Sequence, residues 1–298
     1  GKNDAVLAMI PDAIKNSWPN TTLVLDPYAT LPPDTDKKKC IAITDKVESK
    51  NIIKIVESTG IYHLIQVSSP EFVREINAAA TMIEKPLTFL DDPIGVVLQT
   101  YEEGGTGAKD KTNAPTGDQV VNRRFKYNFN SSMEKKPALD SLRMYIEKVP
   151  RSRTIQNDAM VIADELFTNA VFNAPNKGAE VSRTISVHLE AKRPPNVFAF
   201  FNNDRFLIGV EDPYGSLMPE KAIERIKGCY EKGVTSSIRM GTGGAGIGLF
   251  MVFDMSVSFY ICIDQNVRTI VCAALPLGVS GRAKEGMLKN CHMQIKKK

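Results

Sequence analysis

Glu165 and Asn169 stand four residues apart in Glu165-Leu166-Phe167-Thr168-Asn169-Ala170, inside an apolar stretch with helical spacing. On a helix, positions i and i+4 share a face, so a carboxylate and an amide project together from a segment that is otherwise apolar. Such a pair needs water, a partner or a ligand. A carboxylate within reach of water or a hydroxyl can act as a general base. An amide oxygen surrounded by waters suits Mg²⁺, which seldom receives a dedicated protein cage. Taken alone, the pair also fits an exposed helix face with an acid placed favourably in the helix field.

Two later strings add to it. Val210-Glu211-Asp212-Pro213-Tyr214-Gly215-Ser216-Leu217 puts an aspartate at the end of an apolar strand, with a turn expected at Pro213 and Gly215. By itself this is only a turn. Gly241-Thr242-Gly243-Gly244-Ala245-Gly246-Ile247-Gly248-Leu249 then leads into an apolar helix. Glycines let a backbone approach phosphate oxygens, and the N–H groups at a helix start point at the anion. A dinucleotide fingerprint would need a strand directly before the glycines and an acid about 20 residues later. A polar loop precedes these glycines instead, and no Gly-Lys-Ser/Thr is present for a Walker A loop.

In this order, the three strings resemble the nucleotide site of the GHKL family, which holds the gyrase, Hsp90, histidine-kinase and MutL ATPases and the anti-sigma-factor serine kinases. The resemblance implies ATP and Mg²⁺ as the bound species, in an α+β sandwich of the Bergerat ATP-binding type. It makes Asn169 the ligand of Mg²⁺ on the triphosphate, and Glu165 the catalytic group that orients or deprotonates the attacker. Asp212 would accept a hydrogen bond from the adenine amino group, with Gly215 as the close-approach glycine. Gly244, Gly246, Ile247, Gly248 and Leu249 would form the phosphate wall. Two departures stand out. The family's common Asp-x-Gly-x-Gly is here Asp212-Pro213-Tyr214-Gly215, and Asn173 occupies a place near which family histidine kinases often carry a basic residue.

Ser216 to Gly243 corresponds to an ATP lid, with a helix expected from Pro219 to Tyr230. Lys232 and Arg239 are its candidate γ-phosphate contacts, through charge-assisted hydrogen bonds, although solvated loop cations fit the same positions. Among the family's branches, a sensor kinase needs a phosphoacceptor histidine on a dimerising helix. His63, His188 and His292 lack that setting. About 50 residues follow Gly248, too few for the transducer domain of a gyrase-type machine. The layout resembles the stand-alone anti-sigma-factor kinases, which pass from a strand and two helices into the Asn-bearing segment as Val120–Asn173 does. That implies transfer to a serine or threonine of a regulatory partner (a sigma factor, an antagonist or another signalling protein), with a homodimer possible. The alternatives are an ATP-dependent binding switch without phosphotransfer, and a histidine-kinase-related protein acting with a separate phosphoacceptor.

These residues need elements to hold them. At 298 residues, length suggests two domains. Residues 102–118 are dense in turn formers and read as a linker, which separates an α/β region at 1–101 from the ATPase region at 119–281 and a basic, solvated tail at 282–298. Strands are expected at Thr21–Leu25, Cys40–Thr44 and Ile61–Ile65, with helices at Glu48–Ser58 and after Ser69. This first region resembles a degenerate response-regulator receiver, with Asp26 at the phosphoacceptor position and Thr44 at the next strand end. It lacks an acidic magnesium pair and has Gln66-Val67 where receivers have Lys-Pro. Beyond the linker come a strand at Val120–Phe129, a helical stripe from Leu139 to Val149 and a helix over Thr154–Asn173. Strands follow at Thr184–Ala191, Asn196–Phe201, Phe206–Glu211, Val257–Ile263 and Thr269–Leu275, with helices on one face of the sheet.

The 43% apolar and 24% charged fractions are those of a globular protein, and no apolar run approaches the roughly 20 residues of a membrane span. No secretory leader is recognisable at the start of the sequence. Five cysteines, odd in number and without a C-x-x-C, point to a reducing cytoplasm. A net charge of +4, partly in the tail, gives no case for nucleic acid.

Overall fold

The computed structural model describes residues 2–10, 18–26, 31–68, 71–98, 123–176, 185–233 and 247–296. After a first helix, α1 (Lys2–Ala8), come three short strands, β1 (Thr22–Val24), β2 (Cys40–Thr44) and β3 (His63–Gln66), paired in parallel. Cys40-Ile41-Ala42-Ile43 is apolar at every position and buried throughout, as a strand covered on both faces must be. Helix α2 (Ser49–Thr59) connects β2 to β3 and buries Ile52, Ile53, Ile55 and Val56. Gly60 stops it in the left-handed region at φ 70°, donating its N–H to the Val56 carbonyl. No α-helix connects β1 to β2 among the described residues, only a 3₁₀ turn at Lys37–Lys39. Three helices follow β3: α3 (Phe72–Glu84), α4 (Pro86–Asp91) and α5 (Pro93–Leu98).

The second half contains β4 (Arg124–Asn128), α6 (Lys135–Ile146), α7 (Gln156–Thr168), β5 (Asn196–Phe201), β6 (Arg205–Asp212) and α8 (Pro219–Lys232). It continues with α9 (Gly248–Met255), β7 (Ser258–Asp264), β8 (Arg268–Pro276), α10 (Gly281–Glu285) and β9 (Asn290–Lys296). All the strands join one mixed nine-stranded sheet in the order β1-β2-β3-β9-β7-β8-β6-β5-β4, which makes the fold α/β. No helix among the described residues is long and apolar enough to cross a membrane.

Strand β9 corrects the expectation of a solvated tail over 282–298. It lies inside the sheet, antiparallel to β3 and parallel to β7. The basic residues around it obscure a period-2 pattern, Cys291-x-Met293-x-Ile295, whose apolar members all enter the main core. Lys289, just before the strand, is itself buried, and its Nζ donates to the carbonyls of Phe253 and Asp254 in the last turn of α9 and of Ser256, its C-cap. The segment at 102–118 lies outside the described residues, and the boundary drawn there does not separate two sheets.

Both faces of the sheet are covered. Neighbouring residues of one strand enter different cores: Ile208, Ile261 and Ala273 pack with residues of α2, α6, α7, α8 and α9. Leu207, Tyr260 and Cys272 pack with Ala78, Met82, Phe89 and Val97 of α3 to α5. Helices were expected on one face only. The helices of the first half cover the other, because β6, β7 and β8 carry buried residues at every position. Of the strand expected at Thr184–Ala191, the described residues 185–191 form only an isolated bridge between His188 and Ser131.

Candidate functional site

Helix α7 packs on the sheet through Ala159, Ile162, Ala163, Leu166 and Phe167. It does not continue to Asn173 as an α-helix. At Asn169 the backbone changes to a π turn, Asn169–Asn173, in which the Ala174 N–H bonds to the Asn169 carbonyl at 2.9 Å. Such turns are uncommon and recur at functional sites. Here the turn carries both asparagines singled out by the sequence, and their side chains meet, with Asn173 Nδ2 donating to Asn169 Oδ1 at 2.6 Å.

Asn169 Nδ2 is buried and has no hydrogen-bond partner among the described residues. Amide oxygen and nitrogen are interchangeable in shape. Flipping both amides preserves a hydrogen bond between them and turns Asn169 Oδ1 to the position now held by the unpartnered nitrogen. An asparagine oxygen presented in this way fits a hard cation that takes its remaining ligands from phosphate and water. No group of three His, Cys, Asp or Glu able to hold a metal occurs among the described residues.

Asp212 closes β6, at 9% exposure. Burial pushes its carboxyl up to about 7, against the pull of the Tyr214 and Gly215 backbone N–H groups and the Thr269 hydroxyl. The Tyr214 N–H lies 2.9 Å from Oδ1. Thr269 faces Asp212 across the β6–β8 ladder. Gly215, at φ 58°, has a structural role: a Cβ there would strike the backbone of Asp264 and Asn266 in the β7–β8 turn. Its carbonyl accepts the Asn266 N–H at 3.1 Å, tying the Asp212 turn to that hairpin.

Asn169, Asn173, Asp212 and Leu249 line one cleft that opens in part to solvent. Its floor is apolar, with Leu166 from α7, Val210 from β6 and Val271 from β8. Ser216 lines it as well, and its hydroxyl donates to the Ala174 carbonyl at 2.8 Å, fastening the loop after β6 to the π turn. The combination of apolar walls with a few convergent polar groups is that of a small-molecule site.

Glu165 stands beside this cleft, half-buried one turn before Asn169, with its carboxylate against Gly248, the first residue of α9. Ile247 is the N-cap of that helix. Gly244, Gly246 and Arg239 lie outside the described residues. Lys232 is exposed at the end of α8 and does not line the cleft. Two cations that the sequence reading passed over do line it, Lys221 and Arg225 of α8. Their i, i+4 spacing, one position before the buried Ala222 and Ile226, was the available signal.

Asp26 is exposed just beyond β1, and Thr44 is half-buried at the end of β2. His63 and His292 face each other in register across β3 and β9, both fully buried. His188 is exposed. No protein-family model matches this chain, and no curated protein matches it in sequence.

Proposed function

We propose that this chain binds ATP with Mg²⁺ in the cleft between α7, α8 and the ends of β6 and β8. It then uses the nucleotide to phosphorylate a serine or threonine of a regulatory protein partner, as a GHKL-type kinase of the stand-alone anti-sigma layout. The observation that carries this reading is the convergence of Asn169, Asn173 and Asp212 on one apolar-floored cleft, with Glu165 held against the first residue of α9. In this assignment the Asp212 carboxylate accepts the adenine amino hydrogen, and the flipped Asn169 amide presents oxygen to the metal. Magnesium, when bound, neutralises charge on the phosphate oxygens. Glu165 takes the proton of the attacking hydroxyl as the γ-phosphoryl group passes to it and ADP leaves, a reaction that depends mainly on positioning and charge stabilisation. The first half is assigned a receiver-like signalling role and the site of action is the cytoplasm.

A second reading draws support from Asn173. Its amide is engaged with Asn169 at 2.6 Å and brings no positive charge to the phosphates, which suits a nucleotide-dependent switch that binds ATP and reports to a partner without transfer. The two readings separate in one experiment. Wild type and Glu165→Ala are incubated with γ-labelled ATP, Mg²⁺ and a lysate or candidate antagonist. Label on a protein serine or threonine that disappears with Glu165→Ala supports the kinase. Calorimetric ATP binding with neither transfer nor hydrolysis supports the switch, and absence of ATP binding overturns both.

A further inference from the structure

Several cations on neighbouring helices are answered locally. Lys135 of α6 pairs with Asp164 at 2.8 Å and also donates to the Thr168 hydroxyl. Lys284 pairs with Asp158, and Lys227, on α8 itself, pairs with Glu57 at 2.8 Å. Lys221 and Arg225 differ. Both line the cleft, and among the described residues neither side chain has an ion-pair or hydrogen-bond partner.

Their placement is not accidental to the helix. Ala222, Ile223 and Ile226 bury one stripe of α8 against the core, which fixes its rotation. Residues 221 and 225 are one turn apart and fall on the same face. Pro213 to Met218 then bring the start of α8 back over the cleft within six residues of Asp212. Arg225 is half-buried and Lys221 exposed, so one cation sits deep and the other at the mouth. Cations in an apolar-walled cleft attract an anion strongly, because the low-dielectric walls concentrate their field. Arginine supplies a planar fork that matches phosphate oxygens bidentately, and lysine a mobile point charge.

We infer that Lys221 and Arg225 bind the phosphate chain of the nucleotide, supplying from α8 the positive charge that Asn173 does not provide. This rests on the nucleotide reading above for the identity of the ligand, but the cation pair itself is testable without it.

The test is calorimetric titration of the full chain, with and without Mg²⁺, using ATP, ADP, AMP, adenosine and inorganic tripolyphosphate. Wild type is compared with Lys221→Met, Arg225→Met, the double variant and Asp212→Asn. Removing both cations is expected to weaken ATP binding on the order of 100-fold and adenosine binding by less than about threefold. The penalty should shrink from ATP to ADP to AMP, and tripolyphosphate binding should vanish in the double variant. Equal losses for ATP and adenosine, or unchanged ATP affinity, would overturn the assignment while leaving nucleotide binding intact. Tripolyphosphate binding to wild type and not to the double variant, without any gain from the adenosine moiety, would support the cation pair and reject the nucleotide reading. Binding of none of the probes would overturn both. Both residues lie on the helix surface, so matching melting temperatures of wild type and variants provide the folding control.

Discussion

The Glu165 carboxylate and the Cα of Gly248 meet at the junction of α7 and α9, and the space between them does not admit one methyl group. The glycine that opens α9 thereby sets where the acid on α7 can stand. Gly248→Ala should shift Glu165 or the start of α9, since the colliding atoms end a side chain that can rotate away at some cost. We expect about 1–3 kcal/mol of destabilisation, read as a lower denaturation midpoint, together with at least a tenfold loss of any Glu165-dependent phosphotransfer. Unchanged stability together with unchanged transfer would mean that this contact does not hold Glu165 in place.

Asp212 gives a pH dependence with a definite sign. Its carboxyl titrates near 7 in the folded protein against an ordinary value of 3.8, with burial as the main cause. Between these values the folded chain holds a proton that the unfolded chain has released. Stability is therefore highest, for this group, below 3.8 and falls as the pH rises to about 7. The full cost is on the order of 4 kcal/mol. Asp212→Asn should flatten that slope and raise the melting temperature at pH 8. Equal slopes in wild type and variant would contradict the burial of this carboxylate. A ligand N–H that favours the ionised form should also release a proton on binding near pH 6, detectable as a buffer-dependent calorimetric heat.

Glu75 of α3 is fully buried and collects Ser258 Oγ at 2.7 Å, Tyr260 Oη at 2.7 Å, His292 Nε2 at 3.0 Å and Arg205 at 2.8 Å. Burial alone would raise its carboxyl, but Arg205 and the hydrogen bonds from His292 and Ser258 hold it well below the usual range. Its contribution to stability is complete above pH 4.5 and fades as the pH falls below that value. Glu75→Leu removes the 2.8 Å partner of the buried Arg205 guanidinium and leaves it only the longer contact with Glu71 at 3.6 Å, which should cost about 3 kcal/mol. Adding Arg205→Met should recover part of that loss. A double variant no more stable than the single one would show that the pair is not coupled.

Lys289→Met removes three hydrogen bonds from carbonyls at the end of α9. Leaving them unanswered in a buried setting should cost about 2–4 kcal/mol. It should also increase amide exchange in residues 253–257 ahead of the rest of the sheet. Uniform protection in that segment would argue against the lysine as its anchor.

Most strands were legible because their composition is extreme. Cys40–Thr44 and Asn196–Phe201 coincide with the expected segments, since continuous apolar runs bounded by polar residues leave little choice. The polar cluster in the Glu165 to Asp212 region was also legible, because an amide or a carboxylate in an apolar segment is conspicuous. Other features depended on partners distant in sequence. The π turn at Asn169–Asn173 has no local signature, and Lys221 and Arg225 look like any solvated pair until α8 folds over the cleft. Asn290–Lys296 reads as basic tail because lysines flank it, and only the open edge between β3 and β7 makes its alternation count. The shared sheet was hidden for the same reason: residues 102–118 look like a domain boundary, and nothing local shows that a later strand joins the two halves.

That strand also sets an order of events. On the ribosome β9 is made after β1 to β8, and until it pairs, β3 and β7 each keep an open edge of unpaired N–H and C=O groups. Such edges recruit other strands, including those of neighbouring chains. Closing the gap requires a pairing between His63 and His292, far apart in sequence, which is a slow kind of step. For this protein the hazardous interval in biosynthesis is the time between the appearance of β8 and the arrival of β9.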